Sequence, residues 1–467
     1  MNFLCIATAL EHAGYVPKII DERVEPAWRS MLMKELAQGP ICTIISSKTG
    51  TQIGHALEAS KIIKAHSNAP VVWAGAHASL LPEQTLENEY VDVVIQGEGE
   101  VTSLELIRAL ESGKPLSSVQ GIWFKENCSI THAATRPFID LNRQLPLSYH
   151  LIEPKKYLRG LFGRGHLNFF TSRGCPNPCT FCYQKIFQRQ TWRYMDPEIA
   201  VKRIKEFVRA YNIRGITFSD INFFADINRG RRILEGIVKE GLDIIISKVN
   251  IAVNALPAIT TDDLALLQRA GCRRITIGIE SGSKRIQELL KKPVDIPKLL
   301  EINRNLKLSS IVPVYFFMMG IPTETKEDLL ESVSLSLRLL EGNPSAVRVF
   351  NVFTPLPGTE LFELAVKHGL RVPGRLEDWV TFNYRNCAKN EPWLSKEMRG
   401  IIEMLDFCNF FVGKRQYLQP YEKTNPLVVL LSKMYAPLAR KRVKNLIYQF
   451  PLEIKLAKLF GLYAKQD

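Results

Sequence analysis

Strand and helix patterns alternate along most of this chain, and this alternation restricts the fold more than any other feature of the sequence. Beyond residue 163, six apolar, β-rich runs are separated by amphipathic helical patterns, and they lie at 166–171, 214–220, 243–253, 273–280, 313–320 and 346–354. Alternating strands and helices form parallel sheets with helices packed on their faces. Six such units predict a partial (βα)6 barrel of the TIM type over residues 163–375, with functional groups at the carboxyl ends of its strands.

A shorter series of the same kind precedes the barrel. Strand patterns at 41–46, 69–75 and 91–97 alternate with helical patterns at 53–66 and 101–113. They predict an α/β, Rossmann-like domain over residues 1–130, followed by a polar linker over 131–162. Ligands of open α/β sheets bind at the carboxyl ends of the strands, and the segments that follow these strands are rich in Gly and hydroxyl groups.

The last part of the chain, 376–467, is predicted to be helical and basic. Its apolar residues recur at helical spacing beside Arg440, Lys441, Arg442, Lys444, Lys455, Lys458 and Lys465. A basic amphipathic helix can lie on an anionic membrane, which would make the protein peripheral. The alternative is a helical cap that packs on the barrel and exposes a solvated basic face.

Charge and cysteine content limit the class of protein. The formal net charge of +14 suits a nucleic acid, an anionic membrane surface or an acidic substrate. No recognisable nucleic-acid-binding module is present, so we expect no nucleic-acid partner. The cysteines are too irregularly spaced for a secreted disulfide framework, and no apolar run is long enough to span a bilayer. We therefore expect a cytoplasmic protein.

Three cysteines in the segment GCPNPCTFC carry the sharpest chemical signal. Cys175, Cys179 and Cys182 are spaced C-x3-C-x2-C just after the first predicted barrel strand. Closely spaced thiolates bind zinc or iron–sulfur clusters. A closed zinc site needs four ligands and no fourth is evident nearby, whereas three ligands on a four-iron cluster leave one iron open for chemistry. The other cysteines are expected to be small buried hydrophobes, and they are Cys5, Cys42, Cys128, Cys272, Cys387 and Cys408.

The cysteine spacing and the six-unit barrel resemble the radical S-adenosylmethionine (radical SAM) superfamily. The resemblance implies a [4Fe-4S] cluster whose open iron binds S-adenosylmethionine and cleaves it reductively to a 5′-deoxyadenosyl radical. It also implies an external electron donor such as flavodoxin or ferredoxin. Later strand ends carry similar motifs in the same order, and these are FSDINFF (218–224), GIESGS (278–283), MMGIPTET (318–325) and TPLPGTEL (354–361).

The resemblance assigns five further residues to S-adenosylmethionine. Tyr183 follows the last cysteine of the motif, where an aromatic residue commonly contacts adenine. Asp220 and Asn222 are expected near the methionine amino group. Glu280 and Ser281 are expected to form amino-group and ribose hydrogen bonds.

The N-terminal domain resembles the cobalamin-binding domain that is fused to many radical SAM enzymes, on the segments TGTQIGHALEASKIIK and VVWAGAHASLLPEQTLENEYVDVVIQGEGE. The residues implied to line the corrinoid are Ser46, Thr49, Gly50, Gln52, Gly75, Gly97, Glu98 and Gly99. The Asp-x-His-x-x-Gly motif is absent, which implies cobalamin binding without a His ligand. His12, His55 and His77 are therefore expected on the surface or in the core. The chain opens where the first helix of relatives begins, so their first strand is expected to be missing.

Enzymes with this pair of domains include hopanoid and phosphinate methylases and the anaerobic oxidative cyclase of bacteriochlorophyll synthesis. The resemblance therefore implies cobalamin-dependent methylation of an unactivated carbon on a small-molecule or lipid substrate. One alternative is a radical cyclisation or rearrangement without net methyl transfer. Another, of a different class, is an iron–sulfur or zinc-stabilised binding module without enzymatic activity.

Overall fold

The computed structural model describes residues 2–158, 165–383, 391–409, 411–412, 426–449 and 451–459. Cys387 and the tail beyond Leu459, which includes Lys465, lie outside the described residues. Helix α1 (Asn2–His12) opens the chain, and an N-terminal α/β domain, a six-stranded barrel sheet and a helical extension follow.

The N-terminal sheet has five strands in sequential order: β1 (Thr43–Ser46), β2 (Val71–Ala74), β3 (Val93–Ile95), β4 (Ile122–Glu126) and β5 (Ser129–His132). The first three are parallel, and β4 and β5 form an antiparallel hairpin at one edge. The helices are α2 (Trp28–Leu36), α3 (Gln52–His66), α4 (Ala76–Leu80), α5 (Pro82–Glu87) and α6 (Glu100–Ser112). Side chains alternate along β2, so Val71 and Trp73 pack with α3 while Val72 and Ala74 pack with α6.

The barrel strands run parallel in chain order, and a small antiparallel ladder interrupts them after the first. The strands are β6 (Leu167–Phe169), the ladder β7 (Ser172–Gly174) and β8 (Trp192–Tyr194), then β9 (Gly215–Phe218), β10 (Ile245–Ile246), β11 (Val249–Ala252), β12 (Arg274–Glu280), β13 (Val312–Met319) and β14 (Val347–Val352). The ladder brackets the cysteine motif. β6 and β14 are the edge strands, so the barrel is open between them.

The third barrel strand, predicted as one run over 243–253, is two short strands. β10 pairs with β9 and β11 pairs with β12, while Ser247 and Lys248 lie between them. The Ser247 N–H donates to the Ile216 carbonyl at 2.8 Å, and the Arg273 N–H donates to the Ile246 carbonyl at 2.9 Å. These bonds on both sides join the two groups of strands into one curved sheet.

Helices of the barrel domain alternate with its strands, and the longer ones cover the outer face of the sheet. They are α7 (Pro154–Tyr157), α8 (Gln184–Phe187), α9 (Pro197–Ala210), α10 (Ile227–Lys239), α11 (Thr261–Arg269), α12 (Lys284–Leu289), α13 (Ile296–Leu306), α14 (Lys326–Gly342) and α15 (Glu360–Lys367). Helices α11 and α14 begin at capping boxes formed by Thr260 with Asp263 and by Thr325 with Asp328.

The C-terminal extension consists of α16 (Lys396–Cys408), α17 (Pro426–Asn445) and α18 (Leu452–Leu459). Helix α16 contacts the edge strand β14, and α17 contacts α14 and α16. None of the described helices combines the length and apolar composition that a bilayer span requires.

The first residues of the region predicted as a C-terminal extension pack on the N-terminal domain instead. The turn Leu376–Thr381 packs against α3 of the N-terminal domain, and the buried Trp379 donates to Gln84 Oε1 at 2.6 Å. The aromatic side chain of Trp379 packs beside α3, so this segment joins the two domains. The prediction that the six remaining cysteines are buried was wrong for Cys128, which is exposed in the β4–β5 turn.

Candidate active site

The loop that carries the three cysteines is fixed by its glycine and by neighbouring elements. Gly174 has φ +82°, and a Cβ there would lie 2.0 Å from the Thr191 carbonyl oxygen, so only glycine fits directly before Cys175. The Asn177 amide exchanges hydrogen bonds of 3.1 and 2.9 Å with the Asn254 amide beyond β11. Thr180 donates to the Leu289 and Leu290 carbonyls at the end of α12. These contacts hold the loop at the carboxyl ends of the barrel strands.

The three thiols lie within electrostatic range of one another and of one ammonium group. Burial raises the pKa of Cys175, Cys179 and Cys182, and neighbouring cysteine thiols raise it further. The Lys292 ammonium opposes this shift at all three. A cation beside thiolates stabilises the deprotonated form that binds iron.

The donor set fits an iron–sulfur cluster. In the described part of the chain, no three His, Cys, Asp or Glu side chains converge as the ligands of a single metal ion would. Ligands of a four-iron cluster each bind a different iron, so three thiols in one loop need not converge on a point.

Glu280 ends β12 and lies within electrostatic range of Cys179 and Cys182, and its predicted contact with S-adenosylmethionine stays a prediction. Its backbone is strained at φ +66°, and the register of β12 against β13 shifts between Gly278 and Glu280. The carboxylate folds back along the strand and accepts a 2.7 Å hydrogen bond from Lys292. A Cβ on Gly278 would lie 2.3 Å from Glu280 Oε1, so any larger residue there would displace this carboxylate. Local sequence patterns gave no indication of Lys292, which follows α12 and reaches the site only in the folded chain.

Asp220 and Asn222 have structural partners in the fold. Asp220 is fully buried and accepts hydrogen bonds from the Thr171 hydroxyl and the Ser172 hydroxyl, both at 2.6 Å, and from the Thr171 N–H. Asn222 is also buried, and its Oδ1 accepts from the Ala252 N–H at 3.2 Å. Their carboxylate and amide groups tie strand ends together beneath the cysteine loop. This geometry favours positioning roles over the predicted contact with the methionine amino group.

Ser281 and Tyr183 differ in their access to the site. Ser281 is fully buried, with its hydroxyl 3.1 Å from the Ser332 hydroxyl of α14, because Gly282 brings the loop against that helix. Its predicted ribose contact is not favoured by this placement. Tyr183 is half-buried at the start of α8, next to Cys182, where burial raises its pKa. Its predicted contact with adenine remains a prediction.

The carboxyl ends of β1 and β2 form a glycine-lined edge in the N-terminal domain. Gly75 has φ +113°, and a Cβ there would lie 2.5 Å from the Ser47 carbonyl oxygen. Ser46 and Gln52 are exposed beside it. Gly50, at φ +106°, faces the carbonyl of Phe382 in the segment that crosses from the barrel. This edge can accept a flat ligand because no side chain projects from its glycines.

His77 is a core residue of this edge, whereas His12 and His55 are not fully buried. Its Nδ1 lies 3.1 Å from the Thr49 hydroxyl, and its ring meets Trp379 edge-on at 5.4 Å. Burial lowers the pKa of His77 to about 4, so the ring is neutral near pH 7. Among the described residues its Nε2 has no hydrogen-bond partner, and a buried donor or acceptor of this kind fits a polar group of a bound ligand.

The GEGE turn follows β3 at the carboxyl edge that β3 shares with β2, and its two acidic side chains face the barrel domain. Glu98 is engaged by two arginines of the barrel domain, Arg173 at 2.8 Å and Arg193 at 2.7 Å. Glu100 pairs with Arg173 at 2.5 Å. A Cβ on Gly99 would lie 2.6 Å from Ile6 of α1. In the fold Glu98 contacts Arg173, two residues before Cys175, and Gly99 lies against α1, while their corrinoid contacts stay a prediction. Gly97, at φ +88°, remains open.

The two candidate sites face each other. Helix α4, which follows Gly75, contacts α8, which follows Cys182. The ion pairs of Glu98 and Glu100 with Arg173 join the same two domains on one side, and the turn around Trp379 joins them on another. The glycine-lined edge therefore lies across from the cysteine loop.

The interior of the barrel has a polar wall and an apolar wall. Since Leu167, Ile216 and Ile277 point to the outer helices, the residues that alternate with them point inward. The inward residues of the first four strand positions are polar and linked by hydrogen bonds in part, and they include Asn168, Thr217, Ser247, Asn250, Arg274 and Thr276. Those of the last two strands form an apolar cluster of Val312, Val314, Phe316, Val347 and Val349. The interior therefore suits a molecule with both apolar and polar parts.

Replacing Gly75 by alanine is expected to weaken cobalamin binding. The new Cβ would clash with the Ser47 carbonyl oxygen and shift this edge. A loss of about 1.4 kcal/mol in binding free energy lowers the affinity about tenfold, which is the effect we expect. Titration of the apoprotein with hydroxocobalamin, followed by absorbance, measures the effect. Gly113→Ala is the control, because it also has a positive φ, +66°, but nothing lies within 4 Å of the new Cβ. Equal affinity of the two variants would contradict this assignment of the edge.

Two family models match the chain. The Radical SAM superfamily model matches residues 169–335, and the B12 binding domain model matches residues 1–107. An uncharacterized methyltransferase from Pyrococcus horikoshii is 26% identical over 92% of this chain and 89% of its own length. An anaerobic magnesium-protoporphyrin IX monomethyl ester cyclase from Cereibacter sphaeroides is 27% identical over 90% of this chain and 68% of its own.

A solved structure has the same fold. The cobalamin-dependent S-adenosylmethionine radical enzyme OxsB, with aqua-cobalamin and S-adenosylmethionine bound, gives a TM-score of 0.74 at 20% identity, over 99% of this chain and 72% of that one. The predicted two-domain fold is confirmed. The predicted cofactors, a [4Fe-4S] cluster, S-adenosylmethionine and cobalamin, are those of the matched domains. The chain belongs to the radical SAM enzymes that carry an N-terminal B12-binding domain.

Proposed function

We propose that this enzyme transfers a methyl group to an unactivated carbon of its substrate. The observation that carries the proposal is the position of the glycine-lined edge across from the cysteine loop, with α4 against α8. Iron–sulfur cluster and cobalamin, when bound, supply single-electron chemistry and methyl-group carriage. The chain's own residues hold the two sites together, since Glu98 and Arg173 join the edge domain to the loop that begins at Cys175.

The balance of the reaction distinguishes methyl transfer from its alternative. Methylation of a C–H bond consumes two S-adenosylmethionine molecules and two electrons. It yields methylated product, S-adenosylhomocysteine, 5′-deoxyadenosine and methionine. Cyclisation or rearrangement yields no S-adenosylhomocysteine. The similarity to the magnesium-protoporphyrin cyclase supports cyclisation as the second candidate function.

The substrate we propose is a lipid or another molecule with a large apolar part. The apolar cluster around Val314 and Val349 lines the interior on the side of the open edge strand β14. The hydrogen-bonding wall opposite, with Asn168 and Thr217, supports a few polar groups on the same molecule.

One experiment tests both parts of the proposal. The reduced holoenzyme is incubated with S-adenosylmethionine bearing a deuterated methyl group and a total cell extract that is then separated into chloroform and aqueous phases. We expect a labelled product in the chloroform phase, with equal amounts of S-adenosylhomocysteine and 5′-deoxyadenosine. 5′-Deoxyadenosine without S-adenosylhomocysteine would favour the cyclase alternative. Label confined to the aqueous phase would contradict the apolar substrate but leave methyl transfer intact.

The reductant we propose is a small acidic electron carrier such as flavodoxin or ferredoxin. The chain carries a net charge of +14, and complementary charge accelerates association with an acidic partner. A reducing cytoplasm is the compartment that suits this chemistry. The eight cysteines in the described part of the chain are all free thiols, which agrees with that setting.

A further inference from the structure

Helices α17 and α18 expose apolar side chains on the outer surface of the extension. Leu430, Met434 and Leu438 of α17 are 55%, 71% and 48% exposed, and they recur every four residues. Leu452 and Leu456 of α18 are 65% and 53% exposed with the same spacing. Residues four apart lie on one face of a helix. Each helix therefore presents an apolar stripe to the outside.

The opposite faces of both helices are anchored in the protein. Ala439 and Val443 of α17, Leu446 directly after it and Ile454 of α18 are buried in the main core. Arg442 binds Glu453 at 2.5 Å, and Tyr435 donates to the same carboxylate at 2.8 Å. The two helices are thus fixed to each other and to the barrel, so the stripes cannot turn inward.

The charge around the stripes has one sign. The exposed charged residues of the two helices whose side chains are described are all basic, and they are Lys433, Arg440, Lys441, Lys444 and Lys455. The acidic residue in these helices, Glu453, is already paired with Arg442. An apolar stripe flanked by basic residues complements an anionic lipid surface, because the apolar groups enter the acyl boundary while the cations meet the head groups.

We propose that α17 and α18 form a surface that docks the enzyme on anionic membranes. Helix α17 packs on α14 and α16, and α16 in turn contacts β14, the edge strand beside the open side of the barrel. A docked enzyme would hold that opening near the bilayer. Membrane docking is inferred from the exposed apolar stripes and the basic residues beside them, and it does not depend on methyl transfer.

Flotation of the full-length holoenzyme with vesicles tests this surface. We expect binding to phosphatidylglycerol/phosphatidylcholine vesicles, weaker binding to phosphatidylcholine alone, and loss of binding at high salt. Leu430→Ser/Met434→Ser/Leu438→Ser is expected to lower the partition coefficient about tenfold. Leu452→Ser/Leu456→Ser provides a second, independent variant. Val16→Ser/Leu308→Ser removes two exposed apolar residues elsewhere and is expected to leave partitioning unchanged.

Iron content and the thermal midpoint show that each variant is folded. Flotation of the triple variant equal to that of the unchanged protein would overturn the proposal, as would a failure of the unchanged protein to bind any vesicle. A dimer in gel filtration that the triple variant abolishes, without any vesicle binding, would assign the surface to a second copy of the chain and also overturn it.

Discussion

Replacing Cys175, Cys179 and Cys182 together by alanine is expected to remove the cluster iron and to abolish reductive cleavage of S-adenosylmethionine. Three thiolates in one loop hold the cluster, and alanine offers no ligand atom. Iron and acid-labile sulfide in the anaerobically reconstituted protein are expected to fall from about four per chain to none. The cluster absorbance and the electron paramagnetic resonance signal of the reduced protein should disappear with them.

The control variant is Cys42→Ala/Cys272→Ala/Cys408→Ala, which also removes three thiols. These side chains lie in or against hydrophobic cores away from the loop. We expect this variant to keep its iron and to form 5′-deoxyadenosine. Zinc in place of iron in the unchanged protein, or equal iron loss in both variants, would refute the assignment of the cluster ligands.

Replacing Arg173 by alanine is expected to destabilise the folded protein by about 3–5 kcal/mol, the cost typical of breaking a buried ion pair from one side. Arg173 binds both Glu98 and Glu100 across the domain boundary, and the Glu98 side chain is only 6% exposed. Its guanidinium also lies 4.8 Å from the ring centroid of Phe170. Loss of Arg173 leaves Glu100 without this partner and Glu98 with Arg193 and the Ile139 N–H. The urea midpoint of the anaerobic holoenzyme measures the effect.

The matched control is Arg232→Ala, which breaks an Arg–Glu pair with Glu198 between two exposed side chains. Exposed pairs contribute about 0–1 kcal/mol, so this change should be small. A double-mutant cycle of Arg173→Ala with Glu98→Gln isolates the coupling between the two partners. A loss of stability no larger than that of Arg232→Ala would show that the network does not hold the domains together.

The effect of Arg173→Ala should also depend on pH. Burial alone would raise the pKa of Glu98, but Arg193 and Arg173 hold it below its ordinary value. A carboxyl group with a lowered folded pKa contributes stability above its unfolded pKa, about 4.3, and loses it as pH falls through the folded value. We therefore expect the two proteins, unchanged and Arg173→Ala, to differ most in free energy of unfolding at neutral pH. This difference should become smaller below about pH 4.

Several residues that contact the candidate active site come from segments distant from the cysteine loop in sequence. Lys292 reaches the thiols and Glu280 because α12 folds back beside β12. Ser281 packs against α14, and Asp220 accepts hydrogen bonds from Thr171 and Ser172 across the sheet. The polar and apolar walls of the interior also appear only when six strands lie side by side. A motif specifies which residue types stand at a strand end, but the partners of each side chain depend on elements that pack there from elsewhere.

The sequence alone determined the order of strands and helices, the cysteine loop after the first barrel strand and the two cofactor-binding domains, because these follow from local periodicity and from spacing within short segments. Only the tertiary structure decided that Glu98 faces Arg173 and Arg193, that Trp379 packs on the N-terminal domain, and that α17 turns Leu430, Met434 and Leu438 outward. Burial and ion pairing between distant segments are set by how the domains close on each other, which no short stretch of sequence encodes.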